Sequence, residues 1–179
     1  MNTTLTGWIF RASNHGVRAR GGLLCFFCQP ALIAFTCWLF VFSSQGQPTF
    51  VGSHGRLRVS GNQVVDQNGE PTVLHGMSLY AWSEQGKQFF NASAIDHLAQ
   101  DWKCTVIRAV VLPQDYRRNP EAEIRRIKTV VDACITNGIY AIINWHAMAG
   151  AQNDVRSAQA FYTNLASAYG KTPNVMYEP

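Results

Sequence analysis

From residue 56 onward, the chain alternates between short apolar runs and longer stretches in which apolar residues recur every three or four positions. The runs 76–79, 106–111, 140–145 and 174–177 predict strands, because they are short, apolar and mostly rich in β-branched residues. The stretches 93–101, 120–137 and 155–170 predict amphipathic helices. Strands that alternate with helices in this way indicate an α/β fold with a parallel sheet covered by helices.

Turn and cap residues set the expected boundaries of these elements. The pair Asn68-Gly69 predicts the turn of a small β-hairpin that precedes the alternation. A capping box at residues 93–96 predicts the start of the first helix, and Asn119 followed by Pro120 predicts the start of the second. Residues 47–55, rich in Gly, Ser and Gln, are typical of a linker. An open doubly wound sheet and a barrel both fit this order, but no glycine-rich phosphate loop follows any strand, which favours the barrel.

A long apolar segment, broken only by Gln29, Pro30 and Thr36, precedes the linker. Leu23 to Phe42 is long enough for a helix that crosses a bilayer, and it follows Arg11, Arg18 and Arg20 without any acidic residue. Residues 1–46 therefore predict either a secretory signal cleaved near residues 44–46 or a signal anchor. Both interpretations export the rest of the chain, to the extracellular space or to an anchored position outside the membrane. We expect membrane contact only through this segment.

Charge and composition exclude one large class of function. Lys and Arg number 15 against 11 Asp and Glu, but part of this excess lies ahead of the apolar segment. The remaining chain has no basic patch interleaved with aromatic residues, so we do not expect a nucleic-acid-binding protein. We also expect no cofactor and no metal.

Two cysteines lie in the part of the chain that we expect to be exported. Cys104 precedes the second predicted strand of the alternation, and Cys134 lies near the end of the helix that follows it. In a βα unit these two positions lie at the same edge of the sheet, so a disulfide between them is expected in an oxidising compartment. The triplet that begins at Asn91 is a glycosylation sequon, which also fits export.

Polar residues at the strand ends supply the candidate chemistry. Arg108 interrupts an otherwise apolar strand, and a buried guanidinium requires a carboxylate or an anion opposite it. Asn144 and His146 share one face at the end of the next strand, where parallel α/β folds bind their ligands. A core ion pair and a hydrogen-bonded histidine are the structural alternatives.

Four stretches in order, "GEPTVLHGMSLY", "DWKCTVIRAVV", "GIYAIINWH" and "YGKTPNVMYEP", resemble the amino-terminal half of glycoside hydrolase family 5, the cellulase-like endoglucanases. The resemblance covers residues 56–179 and implies about the first four strands of an eight-stranded (β/α) barrel. It also implies retaining hydrolysis of β-linked glucans or mannans, with one glutamate as acid/base and another as nucleophile. By this resemblance, Arg108 would orient the nucleophile and His146 would hydrogen-bond the substrate.

The chain departs from the family pattern at three positions. Asn144 replaces the usual Asp before Trp-His, and Tyr80 stands where a His often ends the first strand, with Trp82 as a possible sugar-stacking platform. The third departure concerns Glu178, which either precedes the Asn-Glu-Pro motif of the family or belongs to a shortened form of it. On the first alignment the acid/base is absent, and on both alignments the nucleophile is absent.

These departures lead to two hypotheses of different classes. We expect the chain to be a truncated portion of a glycosidase that acts on a β-linked polysaccharide and is inactive by itself. The alternative is a non-catalytic exported protein that binds glycan or another half-barrel.

Overall fold

The structure of the protein is a computed structural model that describes residues 47–147 and 154–179. The predicted export segment, residues 1–46, lies outside the described residues. Within the two described ranges, no helix is long and apolar enough to span a bilayer. The elements in chain order are α1 (Phe50–His54), β1 (Arg58–Ser60), β2 (Gln63–Val65), β3 (Gly76–Leu79), α2 (Glu84–Lys87), α3 (Ala92–Gln100), β4 (Val106–Val111), α4 (Pro113–Arg118), α5 (Pro120–Thr136), β5 (Tyr140–Trp145), α6 (Val155–Tyr169) and β6 (Val175–Glu178).

The four predicted strands form one parallel sheet, as expected. Its order is β3-β4-β5-β6, so each strand lies beside the next one along the chain. The register places Ser78 beside Arg108, Arg108 beside Ile142, and Ile142 beside Met176. Because all four strands run in one direction, their carboxyl ends meet at a single edge.

The two faces of this sheet differ in chemistry. Side chains alternate between the faces, and one set joins the apolar cluster under α3, α5 and α6. The strand residues of that cluster on this face are Leu79, Ile107, Ala109, Val111, Ala141, Ile143, Trp145 and Val175. Full burial of a side chain such as Ile143 contributes about 1.5–3 kcal/mol, so this face holds the fold together. The opposite face includes Ser78, Arg108, Val110, Ile142, Asn144, Met176 and Glu178.

The expected linker at residues 47–55 is instead a structured element. Thr49 caps α1, and the Val51 N–H donates to the carbonyl of Gly138 at 2.8 Å. The Tyr140 hydroxyl donates to the Gly55 carbonyl at 2.5 Å. The polar composition of this segment therefore serves capping and backbone hydrogen bonds at the amino-terminal edge of the sheet, which composition alone did not reveal.

A hairpin is present before the alternation, but its two strands reverse ahead of the predicted turn at Asn68-Gly69. Strands β1 and β2 pair antiparallel around Gly61, which has a φ of 61°. The predicted turn at Asn68-Gly69 is the second reversal, and it brings Pro71 back to an isolated bridge with Val65.

The helix starts confirm one cap prediction and correct another. Asn119 caps α5 by accepting from the Ala122 N–H, with Pro120 in first position as predicted. Helix α3 begins ahead of the predicted capping box, because the Asn91 side chain accepts from the Ala94 N–H. The short helices α2 and α4 were not predicted, since each is shorter than the window that periodicity requires.

The expected disulfide between Cys104 and Cys134 is not formed in the structure. Both residues are free thiols and both are buried. Each belongs to the apolar cluster beneath the helices, where cysteine packs as a small hydrophobic side chain.

Candidate active site

The sequence-predicted site residues converge on the carboxyl edge of the sheet. Tyr80 and Trp82 follow β3, His146 follows β5, and Glu178 ends β6. Parallel strands deliver all of these positions to one edge, as the strand pattern predicts. Arg108 lies further from this edge, in the middle of β4.

The centre of this edge is an ion pair between Arg108 and Glu178. Arg108 Nε donates to Glu178 Oε2 at 2.6 Å, and Nη2 donates to Oε1 at 2.9 Å. Arg108 Nη1 also donates to Ser78 Oγ at 3.2 Å. The carboxylate that a half-buried arginine requires is therefore Glu178, held in the two-bond geometry that fixes both groups in orientation as well as distance.

This pairing sets the charge of Glu178. The hydrogen bonds from Arg108 hold the pKa of Glu178 below its ordinary value, against the opposing effect of burial, and the charges of Arg108 and His146 lower it further. The carboxylate is therefore ionised at neutral pH, which suits a group that orients a cation. A general acid needs the opposite shift.

Two side chains fix the backbone at the end of β6. Asn144 Nδ2 donates to the carbonyl of Glu178 at 3.3 Å, and the Tyr162 hydroxyl donates to the same oxygen at 2.5 Å. The Tyr162 hydroxyl also accepts from the Trp145 N–H at 3.1 Å. Burial raises the pKa of Tyr162 to about 12, so the hydroxyl keeps its proton. Asn144 Oδ1 is buried and has no hydrogen-bond partner among the described residues.

Three aromatic rings form a row beside the ion pair. Tyr80 and Trp82 stack with ring centroids 5.8 Å apart and an interplanar angle of 27°. The Trp82 ring then meets His146 edge-on at 6.0 Å. Tyr80 is 58% exposed and Trp82 is 42% exposed, so both rings offer flat surface to solvent. The structure therefore brings together all three of these predicted residues; we call them the aromatic row.

Sequence reasoning missed Ser78 and Tyr162. Ser78 is the register neighbour of Arg108, so a strand alignment would have placed it on the same face. Tyr162 follows a buried Phe161 on α6, and nothing in the helical pattern distinguishes its hydroxyl from a surface group. Asn91, the sequon residue, uses its amide at the start of α3, where Nδ2 donates to the Gln88 carbonyl at 2.7 Å.

Comparison with known proteins agrees with this geometry. The family described as Cellulase (glycosyl hydrolase family 5) matches residues 65–179, which include β3 to β6 and every residue of the edge described above. The chain belongs to glycosyl hydrolase family 5. Within this family 5 chain, the matched range begins at the end of β2 and leaves out α1.

Curated relatives of this family 5 chain are bacterial endoglucanases. Endoglucanase Z of Dickeya dadantii (strain 3937) is 35% identical over 128 residues, which are 68% of this chain and 29% of that protein. Endoglucanase E-5 of Thermobifida fusca is 31% identical over 141 residues, which are 74% of this chain and 29% of that protein. The chain thus spans less than a third of the length of these relatives.

Solved structures give the same result for the fold. A protein from Cytophaga hutchinsonii is 40% identical with a TM-score of 0.67, over 72% of this chain and 42% of that chain. The catalytic domain of Thermobifida fusca endoglucanase Cel5A (E5), solved in complex with cellotetraose, is 30% identical with a TM-score of 0.66, over 72% of this chain and 43% of that chain. The parallel α/β sheet of this chain is therefore similar to part of the catalytic domains of these proteins.

Proposed function

We propose that this family 5 chain supplies the charge-positioning and sugar-binding half of a retaining endo-β-glucanase site. The observation that carries the proposal is the two-bond pair between Arg108 and Glu178 beside an exposed aromatic row, at the carboxyl edge of a parallel sheet. That edge is where (β/α) barrels place their reactive groups. On this proposal, β3 to β6 are the first four strands of an eight-stranded barrel.

Arg108 acts as the electrostatic centre of the proposed site. Its guanidinium carries five N–H groups, of which Glu178 and Ser78 use three. The remaining two can donate to a second carboxylate, and a cation in this position keeps such a carboxylate ionised and ready to act as a nucleophile. Glu178 in turn keeps Arg108 in a fixed orientation.

The two catalytic carboxylates belong, on this proposal, to the part of the barrel that this chain does not match. Retaining hydrolysis uses two carboxyl groups about 5 Å apart, one as acid/base and one as nucleophile. Among the described residues, Glu178 is the one carboxylate in hydrogen-bonding contact with Arg108, and its lowered pKa disfavours the acid role. This favours the alignment in which Glu178 precedes the acid/base motif.

The aromatic row would hold the sugar. The apolar faces of pyranose rings pack against aromatic rings, and the stacked pair of Tyr80 and Trp82 offers such a surface next to His146. His146 then adds a hydrogen-bonding group at the same edge. The relative solved with cellotetraose supports a β-1,4-glucan as the ligand.

A chimaera tests the catalytic role. Residues 47–179 are joined to the remaining part of the Thermobifida fusca catalytic domain and assayed on carboxymethyl-cellulose, mannan and xylan. We expect hydrolysis of carboxymethyl-cellulose that is lost in Arg108→Ala and retained in Arg125→Ala, a control on the exposed face of α5. Two results together would contradict the proposal. The chimaera would have to fold without showing activity, and the separate 179-residue chain would have to fail to bind cellotetraose.

The same experiment separates the second candidate, a non-catalytic glycan-binding protein. The observation that favours it is the presence of only one carboxylate in contact with Arg108 among the described residues. Binding of cellotetraose by the chain, together with an inactive folded chimaera, would support this alternative.

We also propose that the protein is exported, on the basis of the arginine-flanked apolar segment. When the protein is expressed with a carboxyl-terminal tag for detection, it should be found in the secretory pathway. A wholly cytosolic product, still of full length, would contradict export without affecting the proposed site.

A further inference from the structure

The short helix α4 lies between the two strand-end loops that carry the aromatic row. It follows β4 after a single residue, Leu112, and so begins at the same edge as the site. Three consecutive residues of α4 contact three different parts of the protein. Asp115 pairs with Lys87, Tyr116 packs against Trp145, and Arg117 pairs with Asp154.

The pair between Lys87 and Asp115 is more enclosed than an ordinary surface ion pair. Lys87 Nζ lies 3.1 Å from Asp115 Oδ2, and the two side chains are 16% and 11% exposed. A hydrogen bond to Glu84 at 2.9 Å raises the pKa of Lys87, against the effect of burial, and Asp115 raises it further. Loss of Lys87 would leave Asp115 with only Arg118, 3.5 Å away, and loss of Asp115 would leave Lys87 with only the exposed Glu84. Each loss weakens the compensation of an enclosed charge, which is costly.

Lys87 belongs to the segment after β3 that begins with two residues of the aromatic row, Tyr80 and Trp82. The chain folds back so closely that a Cβ atom on Gly86 would lie 2.0 Å from the carbonyl oxygen of Tyr80. The Gly86 N–H also donates to Ser83 Oγ at 3.1 Å, which closes the first turn of α2. Lys87 directly follows Gly86, and Gly86 packs against the backbone of Tyr80, two residues before Trp82. A shift of Lys87 would therefore also move the backbone that carries Tyr80 and Trp82.

The other end of the row is held by the same helix. The Tyr116 ring meets Trp145 at 5.4 Å and Phe161 at 5.5 Å, in edge contacts beneath the strand end. Trp145 directly precedes His146, whose N–H donates to the Val111 carbonyl at 2.9 Å. Arg117 Nη1 lies 2.5 Å from Asp154 Oδ2, at the start of α6, so α4 also holds the beginning of α6.

We propose that Lys87 and Asp115 are positioning residues for the aromatic row, and that α4 keeps the loop after β3 aligned with His146 so that a β-1,4-linked oligosaccharide finds a preformed surface. This inference rests on the proposed sugar-binding function of the row. Neither residue touches the sugar. Their effect is to hold Tyr80 and Trp82 in the orientation in which they stack, which lowers the cost of binding.

The test uses the 179-residue chain with Lys87→Met, Asp115→Asn and Lys87→Arg. The matched control is Arg125→Met, which removes the exposed pair with Glu121 on the neighbouring α5. Hydrogen exchange of a peptide covering residues 80–91 is measured without ligand, and cellotetraose affinity is measured by calorimetry. We expect exchange in 80–91 to become about tenfold faster in Lys87→Met and Asp115→Asn, with exchange in the strands unchanged. We expect cellotetraose affinity to fall about five- to tenfold in these two variants and to stay near wild type in Lys87→Arg and in the control.

Two outcomes would overturn the inference. The first is unchanged exchange in 80–91 after loss of either charge. The second is weakened binding of equal size in the Arg125→Met control. If either single variant fails to fold, the exchanged pair of Lys87→Asp with Asp115→Lys replaces it, and restored protection of 80–91 supports the role. If the wild-type chain does not bind cellotetraose, the proposed function fails, while the exchange comparison alone still decides whether Lys87 and Asp115 position the loop.

Discussion

Arg108 on β4 and Glu178 on β6 meet through two parallel hydrogen bonds across the intervening strand β5. In the register, Arg108 lies beside Ile142 and Ile142 lies beside Met176, so the guanidinium reaches Glu178 by leaning two residues toward the carboxyl edge. The pair therefore ties three strands together on the face that the helices leave uncovered. It also fixes the orientation of the guanidinium, and with it the direction in which the two unused N–H groups of Arg108 point.

Arg108→Ala and His146→Ala should reduce turnover far more than stability in the chimaera described above. On the proposed function, both groups would act on charge that develops during glycosyl transfer, and loss of one such interaction costs about 10²–10³-fold in kcat. Arg108→Lys should be only partly active, because an ammonium cannot form the two-bond pair with Glu178. Kinetics on carboxymethyl-cellulose and circular dichroism measure the two effects. Unchanged kcat in a folded Arg108→Ala variant would restrict this residue to a structural role.

The pair between Arg108 and Glu178 should stabilise the protein only while Glu178 is ionised. Its pKa in the folded protein is below the ordinary glutamate value because of Arg108. The stabilisation is therefore fully present above the unfolded-state pKa of about 4.3 and is lost as the pH falls through the lower folded-state pKa. Thermal midpoints of wild type and Glu178→Gln should differ by a constant amount from pH 8 to pH 6 and converge in acid. A difference that grows as the pH falls would have the wrong sign.

Tyr162→Phe should destabilise the protein by about 1–3 kcal/mol, because the change leaves the Trp145 N–H and the Glu178 carbonyl without the hydroxyl that joins them. Tyr177→Phe is the matched control. Its hydroxyl makes one long hydrogen bond of 3.5 Å to the Leu165 carbonyl, so its removal should cost much less. Urea unfolding of the two variants gives the comparison. Equal losses would show that the Tyr162 hydroxyl contributes no more to stability than the weakly bonded hydroxyl of Tyr177.

Cys104 and Cys134 should both be recovered as thiols that react only after unfolding. Burial raises the pKa of Cys134 to about 12 and also raises that of Cys104, so neither forms a thiolate at neutral pH. Native protein treated with iodoacetamide should stay unmodified at both positions, whereas protein in urea should gain both labels. A mass two units lower, with neither Cys104 nor Cys134 labelled in urea, would instead establish the disulfide that the sequence led us to expect.

The sequence predicted the strands and long helices, whose apolar residues recur with a regular period. It predicted less where individual side-chain contacts determine the structure. The strand at 106–111 was placed correctly because its apolar residues fill one run, and Arg108 was recognised as an intruder that needs a carboxylate. The sequence did not predict that Glu178 is this carboxylate. The spacing of residues along the chain does not show how neighbouring strands are staggered or how far the Arg108 side chain reaches. Helices α1, α2 and α4 were missed for a related reason, since each carries too few turns to show a helical period. Side-chain caps start α1 and α2, and ion pairs to distant segments hold α2 and α4.

The contact of α1 with Gly138 has a consequence for the order of folding. Gly138 combines a φ of 64° with a close approach, since a Cβ atom there would lie 2.1 Å from Thr49 Cβ. The hydrogen bond from Tyr140 to Gly55 spans 85 residues, so α1 gains its partners only after α5 has ended and β5 has been laid down beside β4. Contacts of such long sequence separation form late, because their loop must close before they contribute any stability. Docking of α1 should therefore report completion of the sheet, and Gly138→Ala should speed unfolding while leaving the rate of folding almost unaltered.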